Sequence, residues 1–161
     1  RCSRDWSSDV CSSDLIGNPH TIKKVVSLIT NPNVSFPNVI HPNFAIADDA
    51  TLEMGCGNII QRDCFISCDV KIGNLNVLNG SVVVGHDVVI GDYNVFLPGS
   101  RVSGEVHIGN RNLLGTYSVI IQQIRLGDDI TLSAGSVLMT KSKDGCVYIG
   151  IPAKRFFTKK D

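Results

Sequence analysis

The sequence predicts an all-β solenoid, in which short parallel strands wind into stacked coils. A six-residue apolar rhythm and a glycine-bearing corner that returns every eighteen residues are the two observations that predict it. From Ile60 every sixth residue is large and apolar: Ile66, Ile72, Leu78, Val84, Ile90, Phe96, Val102, Ile108, Leu114, Ile120, Leu126, Leu132 and Leu138. With 43% of residues apolar, a run of that length arises by chance about once in 10⁵ trials, so the internal repeat governs the reading. A period of six fits neither the helical period of about 3.6 nor the alternation of a hairpin strand. Four residues after each of these positions, from Cys64 through Val70, Asn76, Val82, Val88, Asn94, Ser100, Val106, Asn112, Ser118, Ile124 and Ile130 to Ser136, stands a small or β-branched residue. One large and one small inward side chain per hexad suits a narrow prism with tight corners. The corners need residues that tolerate unusual backbone angles. Ile72-Gly73-Asn74, Ile90-Gly91-Asp92, Ile108-Gly109-Asn110 and Leu126-Gly127-Asp128 supply them at eighteen-residue intervals. Three hexads therefore make one coil, and about five coils stack by parallel pairing.

Taken in order, the chain divides into four parts. Residues 1–15 resemble the in-frame translation of a common sequencing adapter and are excluded as an artefact, which makes Cys2 and Cys11 uninformative. In 16–42, Asn18-Pro19 is a helix start, and Ile22, Val25, Val26 and Ile29 fall on one helical face that needs a partner. Three prolines and several asparagines between Asn31 and Pro42 then mark an extended connector. The solenoid occupies 43–140, where Ile46 and Leu52 start the rhythm two residues out of register with Ile60 and imply a bulge near Glu53 to Gly57. In 141–161, Lys141 to Gly145 reads as a polar loop, and Tyr148 to Phe157 as a closing strand with a basic tail.

Composition excludes some functions. Fifteen basic and fifteen acidic residues give no net charge; without 1–15 there remain 13 and 12. No basic face points to nucleic acid, and no stretch is apolar enough to span a membrane. The six cysteines show no zinc-like or C-x-x-C spacing. Cys64, at a small inward position, reads as a buried reduced thiol, which fits a cytoplasmic protein.

The rhythm, the Gly-Asp and Gly-Asn corners and the ending Gly150-Ile151-Pro152-Ala153-Lys154 resemble the hexapeptide-repeat acyltransferases. The resemblance implies a left-handed parallel β-helix, an exception to the right-handed crossover rule. It also implies a homotrimer with cofactor and base contributed across subunit boundaries. In the branch that acetylates bacterial amino sugars or sialic acids, a small Rossmann-like α/β domain holding the sugar nucleotide precedes the β-helix. Ile16-Gly17-Asn18 and the following helix resemble the last strand and helix of such a domain, so 16–42 is expected to be its remnant in a truncated enzyme of polysaccharide biosynthesis.

Four histidines are the candidate bases. His20 and His41 read as surface residues, and His107 as an outward strand residue. His86 stands at a corner, with Cys68 and Gly104 eighteen residues away on the adjacent coils and Asp87 beside it to stabilise the imidazole once it carries a proton. Gly104 leaves open space next to the ring. Alone, a corner histidine reads as structural. The resemblance makes His86 with Asp87 the catalytic pair, the base acting on a sugar amine or hydroxyl as it attacks the thioester of acetyl-CoA. Gly104 N–H is the candidate donor to the oxyanion. By position in the family, Gly104, Gly115, Thr116, Ala134 and Gly135 contact the cofactor through backbone groups, with Lys154 and Arg155 near its phosphates. Two departures stand out: Val95 replaces a histidine that contacts the cofactor in relatives, and Gln122-Gln123 replaces a proline-bearing corner.

Two other readings share the solenoid. A γ-type carbonic anhydrase holds zinc with three histidines, but His86 and His107 are twenty-one residues apart and do not stack. No metal is expected. A non-catalytic scaffold would use its flat faces for assembly alone. For the register itself, Ser118 is expected inside, and Arg111 outside and dispensable.

Overall fold

The computed structural model describes residues 17–158. Residues 1–15, Ile16 and 159–161 lie outside the described residues.

Seventeen two-residue strands, from Val39–Ile40 to Val137–Leu138, form three parallel sheets that are the faces of a prism. The first face carries Val39–Ile40, Ile59–Ile60, Val77–Leu78, Val95–Phe96, Leu113–Leu114 and Thr131–Leu132. The second runs from Ala45–Ile46 to Val137–Leu138, and the third from Glu53–Met54 to Arg125–Leu126. Phe96 pairs with Leu78 on one side and Leu114 on the other, the eighteen-residue step of the sequence. Five coils are complete and a sixth lacks its third rung. Every large position from Ile60 to Leu138 and every small one from Cys64 to Ser136 is buried, so the core is one column along the prism axis.

The corners differ from expectation. The left-handed residue is the third after each large position, and eleven non-glycine residues there, from Asp63 to Asp129, have φ of 54–63°. Gly73, Gly91 and Gly109 are outside that region. They are glycines because a Cβ on Gly73 would sit 2.7 Å from Gly91 O on the next coil, with the same conflict repeated from Gly91 to Gly109 and from Gly109 to Gly127. Close stacking of coils, rather than backbone angle, requires them.

Buried asparagine side chains are paired along the axis. Asn76 Nδ2 donates to Asn58 Oδ1, Asn94 to Asn76 and Asn112 to Asn94, each at 3.0 Å, and each asparagine's backbone N–H uses the same acceptor. Ile130 N–H closes the ladder on Asn112 Oδ1 at 2.8 Å. A second ladder of Asn74, Asp92, Asn110, Asp128 and Asp144 accepts the backbone N–H of the preceding coil at the corner between third and first faces. The buried hydroxyls of Ser100 and Ser118 have no partner.

Both ends depart from the reading in detail. The first rung, Val39–Ile40, pairs with Ile59–Ile60 within the stretch read as connector. The two extra residues of the first coil fall between Ile46 and Met54, in a 3₁₀ turn at Asp49–Thr51 capped by Asp48, ahead of the expected bulge. Met54 takes the large inward position, paired with Ile72, and Leu52 the smaller one opposite Val70, both packed against the core. The closing element is an antiparallel hairpin of Cys146–Gly150 and Ala153–Thr158, not one strand, and its first strand pairs with Thr131–Leu132.

Helix α1, Pro19–Ser27, starts at Asn18, whose side chain accepts the N–H groups of His20 and Thr21. Its His20 reaches Asp129 on the fifth coil at 3.4 Å. Of the expected apolar stripe, Ile22 and Val26 are half-buried and Val25 is exposed, while Ile29, also exposed, lies beyond the end of the helix.

Candidate active site

The prism geometry sorts the candidate residues onto edges. Residues between a second-face strand and a third-face strand share one edge, where the eighteen-residue step aligns Cys68, His86, Gly104 and Gln122 in one column and Asp69, Asp87, Glu105 and Gln123 in the next.

His86 and Asp87 are brought together. Nδ1 of His86 lies 2.8 Å from Oδ2 of Asp87, and both side chains are about half exposed, at 49% and 57%. Nδ1 is thereby engaged and Nε2 is the nitrogen left to exchange a proton. Gly104 does not leave an empty space beside the ring: the imidazole fills it. A Cβ on Gly104 would lie 2.5 Å from Nε2, 2.6 Å from Cε1 and 2.9 Å from Cδ2 of His86. Gly85, beneath, is equally constrained, since a Cβ there would lie 2.7 Å from Gly104 N. Two glycines on successive coils thus seat the histidine. The Gly104 N–H has no acceptor in the described chain, and its C=O accepts from Gln123 N–H.

The sequence reading missed the role of Glu105. Gln122 Nε2 donates to its Oε1 at 2.8 Å and Gln123 Nε2 to its Oε2 at 3.0 Å, so the Gln122-Gln123 corner is a two-amide clamp. The hydrogen bonds from Gln123 and then Gln122 hold this carboxyl below the ordinary glutamate range. A surface depression is lined by Asp87, Glu105, His107, Gln123 and Arg125. Eighteen-residue counting from Asp87 contains the signal that would have found it.

The other predicted contacts lie elsewhere. Gly115, Thr116, Ala134 and Gly135 are on the edge between first and second faces, apart from Gly104. Gly115 N–H bonds to Leu132 O at 2.7 Å and Gly135 N–H to Thr116 O at 2.9 Å. Lys154 and Arg155 are exposed on the second strand of the closing hairpin. His41 serves a turn, with Nδ1 accepting from Asn43 N–H at 3.0 Å. Among the described residues no group of three or more His, Cys, Asp or Glu is placed to hold a metal ion, and no helix is long and apolar enough to cross a membrane.

Arg111 corrects its expectation. Its side chain is only 22% exposed, and it donates to both oxygens of Asp129 and to Asp128, at 2.7–3.0 Å. The guanidinium is held charged more firmly than usual, chiefly by the hydrogen bond to Asp129.

No protein-family model and no curated protein matches the chain. Solved structures do. The chain is similar, at 29% identity and a TM-score of 0.82, to a histidine-substituted variant of perosamine N-acetyltransferase from Caulobacter crescentus in complex with CoA and GDP-perosamine, over 91% of this chain and 67% of that one. It is equally similar to WeeI from Acinetobacter baumannii, at 29% identity and 0.82, over 88% of this chain and 68% of that one. UDP-N-acetylglucosamine O-acyltransferase from Moraxella catarrhalis follows at 28% and 0.71, over 76% and 54%. In repeat and fold the chain is a left-handed β-helix of hexapeptide repeats, and the solved structures it is similar to include bacterial sugar acetyltransferases.

Proposed function

We propose that this chain transfers the acetyl group of acetyl-CoA to an amine or hydroxyl of a bacterial amino sugar, nucleotide-linked amino sugar or sialic acid, with His86 as general base. The His86–Asp87 pair seated on Gly104 is the observation that carries the reading. Nε2 of His86 takes a proton from the acceptor as its nitrogen or oxygen attacks the thioester carbonyl carbon. The carbonyl electrons move to oxygen, where the free Gly104 N–H is the donor we assign to the oxyanion. Collapse of the tetrahedral intermediate breaks the C–S bond, and the CoA thiolate leaves with the proton that His86 took. Asp87 holds the ring and stabilises the imidazolium. Direct transfer is favoured because His86 hydrogen-bonds to Asp87 and to no serine or cysteine among the described residues.

We assign the cofactor to Gly104, Gly115, Thr116, Ala134, Gly135, Lys154 and Arg155. Their division between two prism edges supports a homotrimer, because the His86 edge of one copy can then face the Gly115–Gly135 edge of the next. The face between those edges points Phe65, Val83, Val119 and Val137 outward, apolar residues suited to such packing. Helix α1, with Val25 and, just past its end, Ile29 exposed, fits the end of a sugar-nucleotide-binding domain. A supply of acetyl-CoA places the reaction in the cytoplasm. Calorimetric titration with acetyl-CoA, with mass measured in parallel, tests the reading. Binding by a trimer is expected, and a verified trimer that binds no CoA removes it.

A further inference from the structure

The geometry points to Glu105 as the residue that selects an amine over a hydroxyl acceptor, by attracting the acceptor as its ammonium ion. This rests on the acetyl-transfer reading above and adds the substrate class.

Glu105 follows Gly104 directly, so it is the next residue along the edge from the seat of His86, and it stands one coil above Asp87. Two features distinguish it from an ordinary surface glutamate. Its carboxylate is held by Gln122 and Gln123, which fix both oxygens without adding charge. A lysine or arginine at either position would have cancelled the charge; amides leave it in place, and each oxygen keeps a lone pair for a further donor. Second, the amides keep the group ionised to lower pH than a free glutamate. Asp87 is already engaged by the imidazole, so Glu105 is the carboxylate left facing the depression. The remaining charged or titratable residues of that depression, His107 and Arg125, lie on the third face and not on the edge.

A sugar amine arrives at neutral pH largely as an ammonium ion and must lose a proton before its nitrogen can attack. A fixed carboxylate, one residue along the edge from the seat of His86, stabilises the arriving cation; that first proton passes to solvent, and Nε2 of His86 takes the second as the neutral nitrogen attacks. A hydroxyl acceptor carries no charge and gains nothing from Glu105. For charges a few ångströms apart near a surface the discrimination is roughly fivefold or more.

The test uses two methyl glycosides of one 6-deoxyhexose, one with an amine and one with a hydroxyl at the acceptor carbon. Each is titrated into the CoA-saturated chain and followed by NMR, with wild type compared to Glu105→Gln and circular dichroism confirming the fold of the variant. The amino glycoside should bind roughly fivefold tighter than its hydroxy counterpart to wild type, and Glu105→Gln should abolish that preference while CoA affinity stays unchanged. An undiminished preference in Glu105→Gln, or none in wild type, overturns the role of Glu105 and leaves the acetyl-transfer reading standing. Failure to bind CoA defeats that reading itself. As a second variant, Gln122→Ala with Gln123→Ala keeps the charge and frees the carboxylate; it should retain only part of the preference.

Discussion

The imidazole of His86 rests on the backbone of Gly104, one coil away, so closely that a single added methyl group would overlap three of its ring atoms. Position 104 therefore controls where the imidazole points.

Gly104→Ala is expected to swing the ring off its seat and lower turnover while leaving the β-helix folded. His86→Ala should lower turnover by about 10² to 10⁴, the range for losing general-base assistance, with CoA affinity nearly unchanged. Asp87→Asn should cost less, since it removes only the support at Nδ1. Steady-state kinetics with an amino-sugar nucleotide, beside CoA titration, read all three. Full turnover by His86→Ala would exclude it as the base.

Ser118 separates charge from polarity in the core. Ser118→Glu should unfold the chain or strip it of cooperative melting, because an unpaired carboxylate cannot enter the column. Ser118→Ala should be neutral or stabilising by about 1 kcal/mol, because the hydroxyl it removes is buried without a partner. Thermal melts decide both, and equal stability of Ser118→Glu and wild type would show the register to be wrong.

The asparagine ladder is expected to be cooperative. Asn94 donates to Asn76 and to Gly109 O and accepts from Asn112, so Asn94→Ala orphans Gly109 O and both donors of Asn112, while Asn76 Oδ1 keeps the backbone N–H of residue 94. A loss of about 2–4 kcal/mol in denaturant unfolding follows from leaving buried polar groups unpaired. A loss below about 0.5 kcal/mol would mean that water replaces the amide.

Arg111→Ala should destabilise by up to about 1 kcal/mol, since it removes the guanidinium that bridges Asp128 and Asp129. Lys23, exposed on helix α1, is the control, and its alanine variant should melt as wild type does.

Cys64 predicts a pH effect. Burial pushes its thiol above the ordinary range, so the fold favours the neutral form. The sign follows: its contribution to stability is complete below the pH at which an exposed thiol ionises and is lost as pH rises beyond it. In the native chain a thiol reagent should modify exposed Cys56 first and Cys64 only on unfolding, as peptide mass spectrometry would show. Rapid native labelling of Cys64 would contradict its burial.

How much could be read in advance depended on whether a property is periodic. Inward residues repeat because each coil must match the one below, so Ile60 to Leu138 and Cys64 to Ser136 could be placed by counting. The same count put Gly104 next to His86. Chain geometry around single corners was not legible in this way. Gly73 and its counterparts looked like turn residues, because a glycine spared for stacking and one needed for a left-handed angle are the same letter. The exception in the first coil was visible as a two-residue slip, but which inward position Leu52 and Met54 each take depended on their alignment with Val70 and Ile72.

The sequence by itself determined the solenoid, its register and the edge that carries His86, because these follow from a repeat that every coil must satisfy. Tertiary structure alone decided what each edge does. It set the His86 ring on Gly104, turned Gln122 and Gln123 into a clamp on Glu105, drew Arg111 in to two aspartates, and separated Gly104 from Gly115 and Gly135. The physical reason is that side-chain pairing across a corner depends on reach and direction between successive coils, and no periodicity in the letters records either.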